Sequence, residues 1–314
     1  MTNTVFHLAP FSLPGRWFKG NVHTHTTQSD GLFSPQQAID WYRRRGYDFL
    51  AITDHWVLTP GKVIDDGFVT ITGTEVDGAG YHMLALGLGA LPDQEDADAI
   101  QQVTDSVLAA GGLPFIAHPY WTGQTSAEIA AVEGIVGLEV FNSVCEKMTG
   151  LGHSRVHWDE VLARSRHLTG LAVDDTHWKH GAAGKGFIMV RCEALDEGQI
   201  LKAIGDGHFY ASTGPIIEDL RLMEGEEGQL QLHVDCSPCR SVTFYAQKSK
   251  GRRFEAEEGD TLENASYPVR EEQLYLRVEC VDRAGDVAWT NPIFVRDGKV
   301  ALCSGRVATL WKGC

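Results

Sequence analysis

The sequence predicts an α/β domain with a mainly parallel sheet or barrel, followed by a smaller antiparallel β appendage. Three observations predict it. From about residue 17 to 206, short apolar runs alternate with amphipathic segments, as they do in chains built from βαβ units. After about Gly207, apolar and polar residues alternate singly, the period of an antiparallel strand with one face in water. The chain has 314 residues, 43% hydrophobic and 22% charged, enough to bury a core in one large domain or in a large and a small one. The division falls at 215/216, giving a domain over 1–215 and a β-rich domain over 216–314.

Strands are expected at Val22–Thr24, Phe49–Thr53, Val69–Gly73, Met83–Leu88, Leu113–Ala117, Gly137–Phe141, Leu168–Val173 and Phe187–Val190. Ser34-Pro35 marks the first helix start, an N-cap followed by proline at the first helical position. Ile39, Trp41 and Tyr42 give that helix a buried side. Further helices are expected at Gln94–Ala110, Ser126–Val132, Ser154–Ser165 and Asp196–Asp206. In the appendage, Leu230–Val234, Val242–Gln247, Leu274–Val281 and Ile293–Val295 read as strands. Ser237-Pro238 and Ala284-Gly285-Asp286 read as turns, and Lys248–Ala265 as an exposed loop or long hairpin.

Lysine and arginine number 27 against 42 aspartates and glutamates, a net charge of −15. That balance argues against general affinity for nucleic acid or anionic membranes. It leaves an anionic substrate open, because bound metal ions reverse the local field. No run approaches a membrane span of about 18–20 apolar residues, and Met1–Gly15 lacks the pattern of a signal peptide. The seven cysteines are odd in number and widely spread. Free thiols in a reducing compartment are expected, and with them a cytoplasmic protein acting on a small molecule, its oligomeric state open. Cys236-Ser-Pro-Cys239 has redox or zinc-ribbon spacing, but no second such pair follows, so it reads as two ordinary thiols on a turn.

The chemistry gathers at strand ends. His23 and His25 stand two apart, and in a strand i and i+2 share a face. Asp30 follows them; Asp54-His55, Glu75, His118 and Asp175-Thr176-His177 each end a strand, and His82 opens one. Neutral imidazole with carboxylate suits zinc, manganese or iron. In parallel α/β folds, sites form at the carboxyl ends of strands. Glu139 also ends a strand, and reads as a ligand, as a partner that holds a ligand from behind, or as a rim carboxylate. His153 and His157 have i, i+4 spacing, but Ser154 stands where a zinc protease has glutamate, so they read as ordinary helical side chains.

The run Gly20-Asn21-Val22-His23-Thr24-His25-Thr26-Thr27-Gln28-Ser29-Asp30-Gly31, then Ile52-Thr53-Asp54-His55, Ala117-His118-Pro119 and Asp175-Thr176-His177 resembles the PHP (polymerase and histidinol phosphatase) superfamily. These motifs span residues 18 to 177 in the family's order. Trp17–Asp30 and Phe209-Tyr210-Ala211-Ser212-Thr213-Gly214-Pro215 resemble a stand-alone branch that includes carbaryl-hydrolase-like proteins. The resemblance implies a distorted (β/α)7 barrel with two or three divalent transition-metal ions in its mouth. It implies that His23, His25, Glu75 and Asp175 hold the first ion. Glu75 would bridge to a second on His82 and His118, and Asp30, His55 and His177 would hold a third. Asp54 would be a ligand or would orient His55; Asp174 stands where the family often has serine.

Such a site hydrolyses through a metal-bridging hydroxide, with His177 or Asp54 passing a proton to the leaving oxygen. Lys179, Lys185 and Arg191, with His180, follow the last ligands and are expected to bind a phosphate. Tyr120 and Trp121 are expected to line a pocket for a ring or to pack against a helix. The function expected is a metal-dependent phosphoesterase acting on a small phosphorylated metabolite or nucleotide. The alternatives are a carbamate, ester or amide hydrolase on the same metals, and a metal-binding regulatory module with little turnover.

Overall fold

Ser34 starts the first helix as its sequence demands. Its side chain accepts from the Gln37 amide while the Gln37 side chain caps back, and Pro35–Arg43 then buries Ala38, Ile39 and Tyr42. A computed structural model describes residues 5–65, 67–224, 229–296, 299–302 and 309–310. Cys303 and Cys314 lie outside the described residues, among which Cys145, Cys192, Cys236, Cys239 and Cys280 are free thiols. No helix of the described residues is long and apolar enough to cross a membrane.

Two sheets build the site. One runs in the order Thr169–Val173, Gly137–Asn142, Leu113–Ala117, Tyr81–Leu86, Gly73–Gly78. Its first three strands are parallel and its last two antiparallel. The other is larger; in it Arg16–Asn21 lies between Phe49–Ala51 (parallel) and Phe187–Cys192 (antiparallel). The third sheet, Val5–His7, Ile217–Glu224, Leu230–Cys239 and Leu262–Pro268, is antiparallel.

The expected (β/α)7 barrel is not what forms. Among the described residues, strands hold 39% against 20% for helices, in three sheets with no closed barrel. The reason lies in the edges of Arg16–Asn21. A strand has two, and Phe187–Cys192 takes the one that would have paired with Thr169–Val173. Past that strand, Thr24 and Thr176 make only an isolated bridge. At the other seam, His55↔Glu75 and Thr59↔Gly73 are likewise isolated bridges.

Local corrections have equally local causes. Gly73–Gly78 and Tyr81–Leu86 form a hairpin rather than a crossover unit, turned at Gly80 with φ 79°. The helix expected over Gln94–Ala110 is a 3-10 turn, Gln94–Asp96, and a helix, Ile100–Ala109. Ser237-Pro238 is no turn but lies within Leu230–Cys239, where the register shifts between Asp235 and Cys239; proline is tolerated at such a bulge. The stretch expected as loop or hairpin supplies Gly251–Glu255, which pairs with Ser241–Tyr245, and the start of Leu262–Pro268.

The large sheet crosses residue 215 without a break, since Phe209–Ser212 pairs with Val287–Thr290. Two ion pairs fasten the later strands to an earlier helix, one of them between Arg155 Nη1 and Glu279 Oε1 at 2.9 Å. Arg277, fully buried on Tyr275–Val281, donates from Nε and Nη2 to Asp159 of helix Arg155–Leu162, at 2.7 and 2.6 Å. Its guanidinium lies over the Tyr245 ring at 4.1 Å and the Trp158 ring at 5.0 Å. Removing one partner of such a pair strands a charge away from water. Asp159→Ala should therefore lower the free energy of unfolding by about 3 kcal/mol, read from urea denaturation followed by circular dichroism.

Candidate metal centre

The strand ends at the open seams are stitched so that their side chains converge. Asn21 donates from Nδ2 to the Gly186 carbonyl and accepts from the His23 amide. The Asp175 amide donates to the His23 carbonyl, and the His25 amide to the Thr176 carbonyl. His118 and Asp175 hold positive φ, 27° and 52°; non-glycine residues so placed store strain that surrounding structure must impose.

The first group is His23, His25, Glu75 and Asp175, all buried. The Nε2 atoms of the two histidines lie 3.1 Å apart. Glu75 Oε2 is 3.1 and 3.0 Å from them, and Asp175 Oδ1 is 3.3 and 3.0 Å away. His23 donates from Nδ1 to Glu139 Oε1 at 2.6 Å, which leaves the Nε2 lone pair of the neutral ring facing inward. Two imidazole nitrogens and two carboxylate oxygens thus share one point, and no hydrogen-bond donor is aligned on buried Asp175 Oδ1. Lone pairs so placed repel one another unless a cation sits among them, and the donor set fits a divalent transition metal.

The electrostatics agree. Burial alone would lower the pKa of His23, but the carboxylates of Asp175, Glu75 and Glu139 outweigh it and hold the ring well above its usual value. His25 is likewise opposed by burial and raised to about 9 by Asp175 and Glu75. Burial would raise Glu75, yet His23, His118 and His25 hold it well below the carboxylate range. The pocket of carboxylates demands positive charge, as protons or as metal.

Glu75 has a second oxygen, and it faces another pair. Oε1 lies 2.9 Å from His82 Nδ1 and 3.1 Å from His118 Nε2. A further group brings His25, Asp30, His55 and His177 together, and a third overlapping one joins His55, Glu75 and His82; in each, the ligand atoms lie within 4.8 Å of one another. His177 donates from Nδ1 to the Asp175 carbonyl at 2.9 Å, so its Nε2 is free to face Asp30 Oδ1 at 3.1 Å. All nine residues expected as ligands are therefore brought together. Glu139 stands behind them: fully buried, it holds His23 and accepts from the His118 amide and Asn142 Nδ2.

Other expected residues are placed elsewhere. Asp54 accepts from the Thr26 and Ser29 amides and both their hydroxyls, which shapes the Thr26–Ser29 turn. Asp174 binds the Tyr42 hydroxyl and the amides of Gly184, Lys185 and Gly186. Burial raises its pKa to about 6. Lys185 is exposed and does not line the cavity above the ligands. Arg191 donates to the Leu13 carbonyl and lies over Trp17, so it cannot serve that cavity. Lys179 does line it, with Nζ 3.8 Å from Asp30 Oδ2.

Asp77 was missed. Its Oδ1 lies 3.2 Å from His55 Nδ1. The signal was present, since Asp77 stands two residues after Glu75 in Gly73–Gly78, on the same face of the strand.

Two outcomes follow for metal. Protein grown with manganese, zinc and iron should carry two to three ions per chain by elemental analysis, and chelation should lower its melting temperature, because an ion bound only by the folded state stabilises it. Glu139→Gln keeps the volume but turns an amide NH2 toward donors. It should weaken metal binding about 10–100-fold in equilibrium dialysis without unfolding the chain.

A scan against protein-family models finds no match, and a search of curated proteins finds none either. Solved structures do match. A two-domain protein from Bacteroides vulgatus containing a predicted PHP-like metal-dependent phosphoesterase aligns over 95% of this chain and 98% of its own, with TM-score 0.50 and 16% identity. A Bifidobacterium adolescentis protein, whose metal-dependent phosphoesterase activity is assigned by inference, and an amidohydrolase from Chromobacterium violaceum each align over 50% of this chain and 87% of their own. Both are 16% identical, with TM-scores of 0.36 and 0.35. None of the three bears a carbaryl-hydrolase name, so that narrower branch rests on the sequence resemblance alone. Across nearly its whole length, the chain shares its fold with that two-domain protein from Bacteroides vulgatus.

Proposed function

We propose that the protein is a metal-dependent phosphoesterase acting on small phosphorylated molecules. One observation carries the reading: eight imidazole and carboxylate side chains gather around Glu75 beneath a cavity of about 290 Å³, with Lys179 on its wall. In the reading, His23, His25, Glu75 and Asp175 hold one ion, Glu75 reaches a second with His82 and His118, and Asp30, His55 and His177 hold any third. Divalent ions there supply Lewis acidity and activate water at neutral pH.

The chain's own residues do the rest. Glu139 and the Asp175 carbonyl fix the ring faces of His23 and His177, so that Nε2 of each points inward. Lys179 offers a mobile ammonium to a phosphate oxygen. Val144 and Met148 form an apolar part of the wall.

Loss of Lys185 and Arg191 from the site leaves Lys179, with His180 nearby, as the cationic side of the cavity. A neutral carbamate or ester needs fewer cations, which keeps carbon hydrolysis as the rival reading. A charge-assisted contact is worth about 1.5–3 kcal/mol, so Lys179→Ala should slow phosphate hydrolysis about tenfold to a hundredfold, with Arg191→Ala within twofold of the parent. On one metal-loaded preparation, kcat/KM for p-nitrophenyl phosphate should exceed that for a naphthyl carbamate; the reverse order would favour carbon chemistry.

A further inference from the structure

The cavity has two unlike sides. Its floor is charged, whereas Trp121, Val144 and Met148 make an apolar side. Trp121 is 44% exposed and Met148 58% exposed, both at the mouth. Large apolar side chains are rarely left in water beside a polar site unless something covers them.

Trp121 is held rather than loose. It belongs to the short helix Pro119–Thr122 that directly follows His118, and its amide donates to the His118 carbonyl. Its indole meets the rings of His118 and His82 at 5.2 and 5.8 Å, at interplanar angles of 86° and 76°. These contacts fix it beside two metal-binding imidazoles while nearly half its surface stays uncovered. A ring bonded directly to an oxygen at the metals falls within reach of that surface.

We propose that the cavity selects aryl phosphate monoesters, with the phosphate on the metals and the aromatic leaving group against Trp121 and Met148. The inference rests on the phosphoesterase reading. Water adds to phosphorus and gives up one proton to solvent, the bond from phosphorus to the aryl oxygen breaks, and phenolate departs with the electron pair, taking a proton from solvent. Trp121 and Met148 set specificity and take no part in bond making.

The test is binding first and turnover second. Isothermal titration of the metal-loaded protein should show phenylphosphonate bound about tenfold tighter than methylphosphonate, as an aromatic contact with its buried area predicts. Trp121→Ala should reduce that ratio to below about twofold, and Trp121→Phe should keep most of it. Equal affinity of the two phosphonates in the parent protein overturns the inference whatever the variants do. Turnover of phenyl phosphate and butyl phosphate then separates the two claims. Equal kcat/KM for both defeats aryl selection and leaves the phosphoesterase reading standing. A binding preference with neither ester hydrolysed defeats the phosphoesterase reading and leaves recognition of the ring.

Discussion

Glu75 is the constraint on which the rest depends. A carboxylate almost wholly removed from water, with both oxygens 2.9–3.1 Å from imidazole nitrogens, is tolerable only among positive charges. Everything around it serves that need. Four histidines lie within 3.1 Å of its oxygens. Asp175 adds further negative charge at the same point, which no set of neutral imidazoles offsets. Protons alone satisfy such a group poorly near neutrality, since each must share a crowded point with its neighbours. Divalent ions satisfy it with one particle per group of ligands. The demand for metal is thus built into the buried chain.

The same constraint explains why the sheets stop short of closure. A full ladder at either seam would turn strand ends into paired edges and aim their side chains alternately up and down. Instead Thr24↔Thr176 and His55↔Glu75 are single bridges, and His118 and Asp175 take positive φ. Chain that would have completed a barrel is bent into a ligand cradle. Backbone pairing is made elsewhere instead, where Phe187–Cys192 and Phe209–Ser212 tie Arg16–Asn21 into the long mixed sheet through antiparallel ladders.

The site was legible in the sequence to a degree the fold was not, and the cause is physical. Metal ligands are few residue types held at strand ends, so spacing alone exposed His23, His25, His55, Glu75, His82, His118, Asp175 and His177. Asp77 carries no such mark, because it stands past the strand end that the sequence shows and is set beside His55 only by sharing a face with Glu75. Strand pairing is set by edges, and edges leave no local mark. Nothing in Phe187–Cys192 announces that it will lie against Arg16–Asn21 from 165 residues away, as the Asn21–Gly186 contact measures it. Between the expected strands Val69–Gly73 and Met83–Leu88 lie too few residues for the crossover of about a dozen or more that parallel neighbours need, and a hairpin fills the gap.

Cation counting in sequence failed for the same reason that ligand spacing succeeded. Lys179, Lys185 and Arg191 share a stretch of chain, but a loop ending in a strand scatters side chains over different faces. The Asp174 carboxylate gathers the amides of Gly184, Lys185 and Gly186 inward, which commits that backbone to structure. Arg191, two residues from Met189 in an antiparallel strand, is delivered to Trp17 and the Leu13 carbonyl on the far side. What remains at the mouth is one lysine, one histidine and an uncovered tryptophan. On the phosphoesterase reading, a cavity so poor in cations would not discriminate phosphates by charge alone, because ions held beneath it would attract every phosphate alike. Discrimination would then come from the part of the substrate that does not touch metal, and among the described residues the largest apolar side chain on that wall is the indole of Trp121, held against His82 and His118.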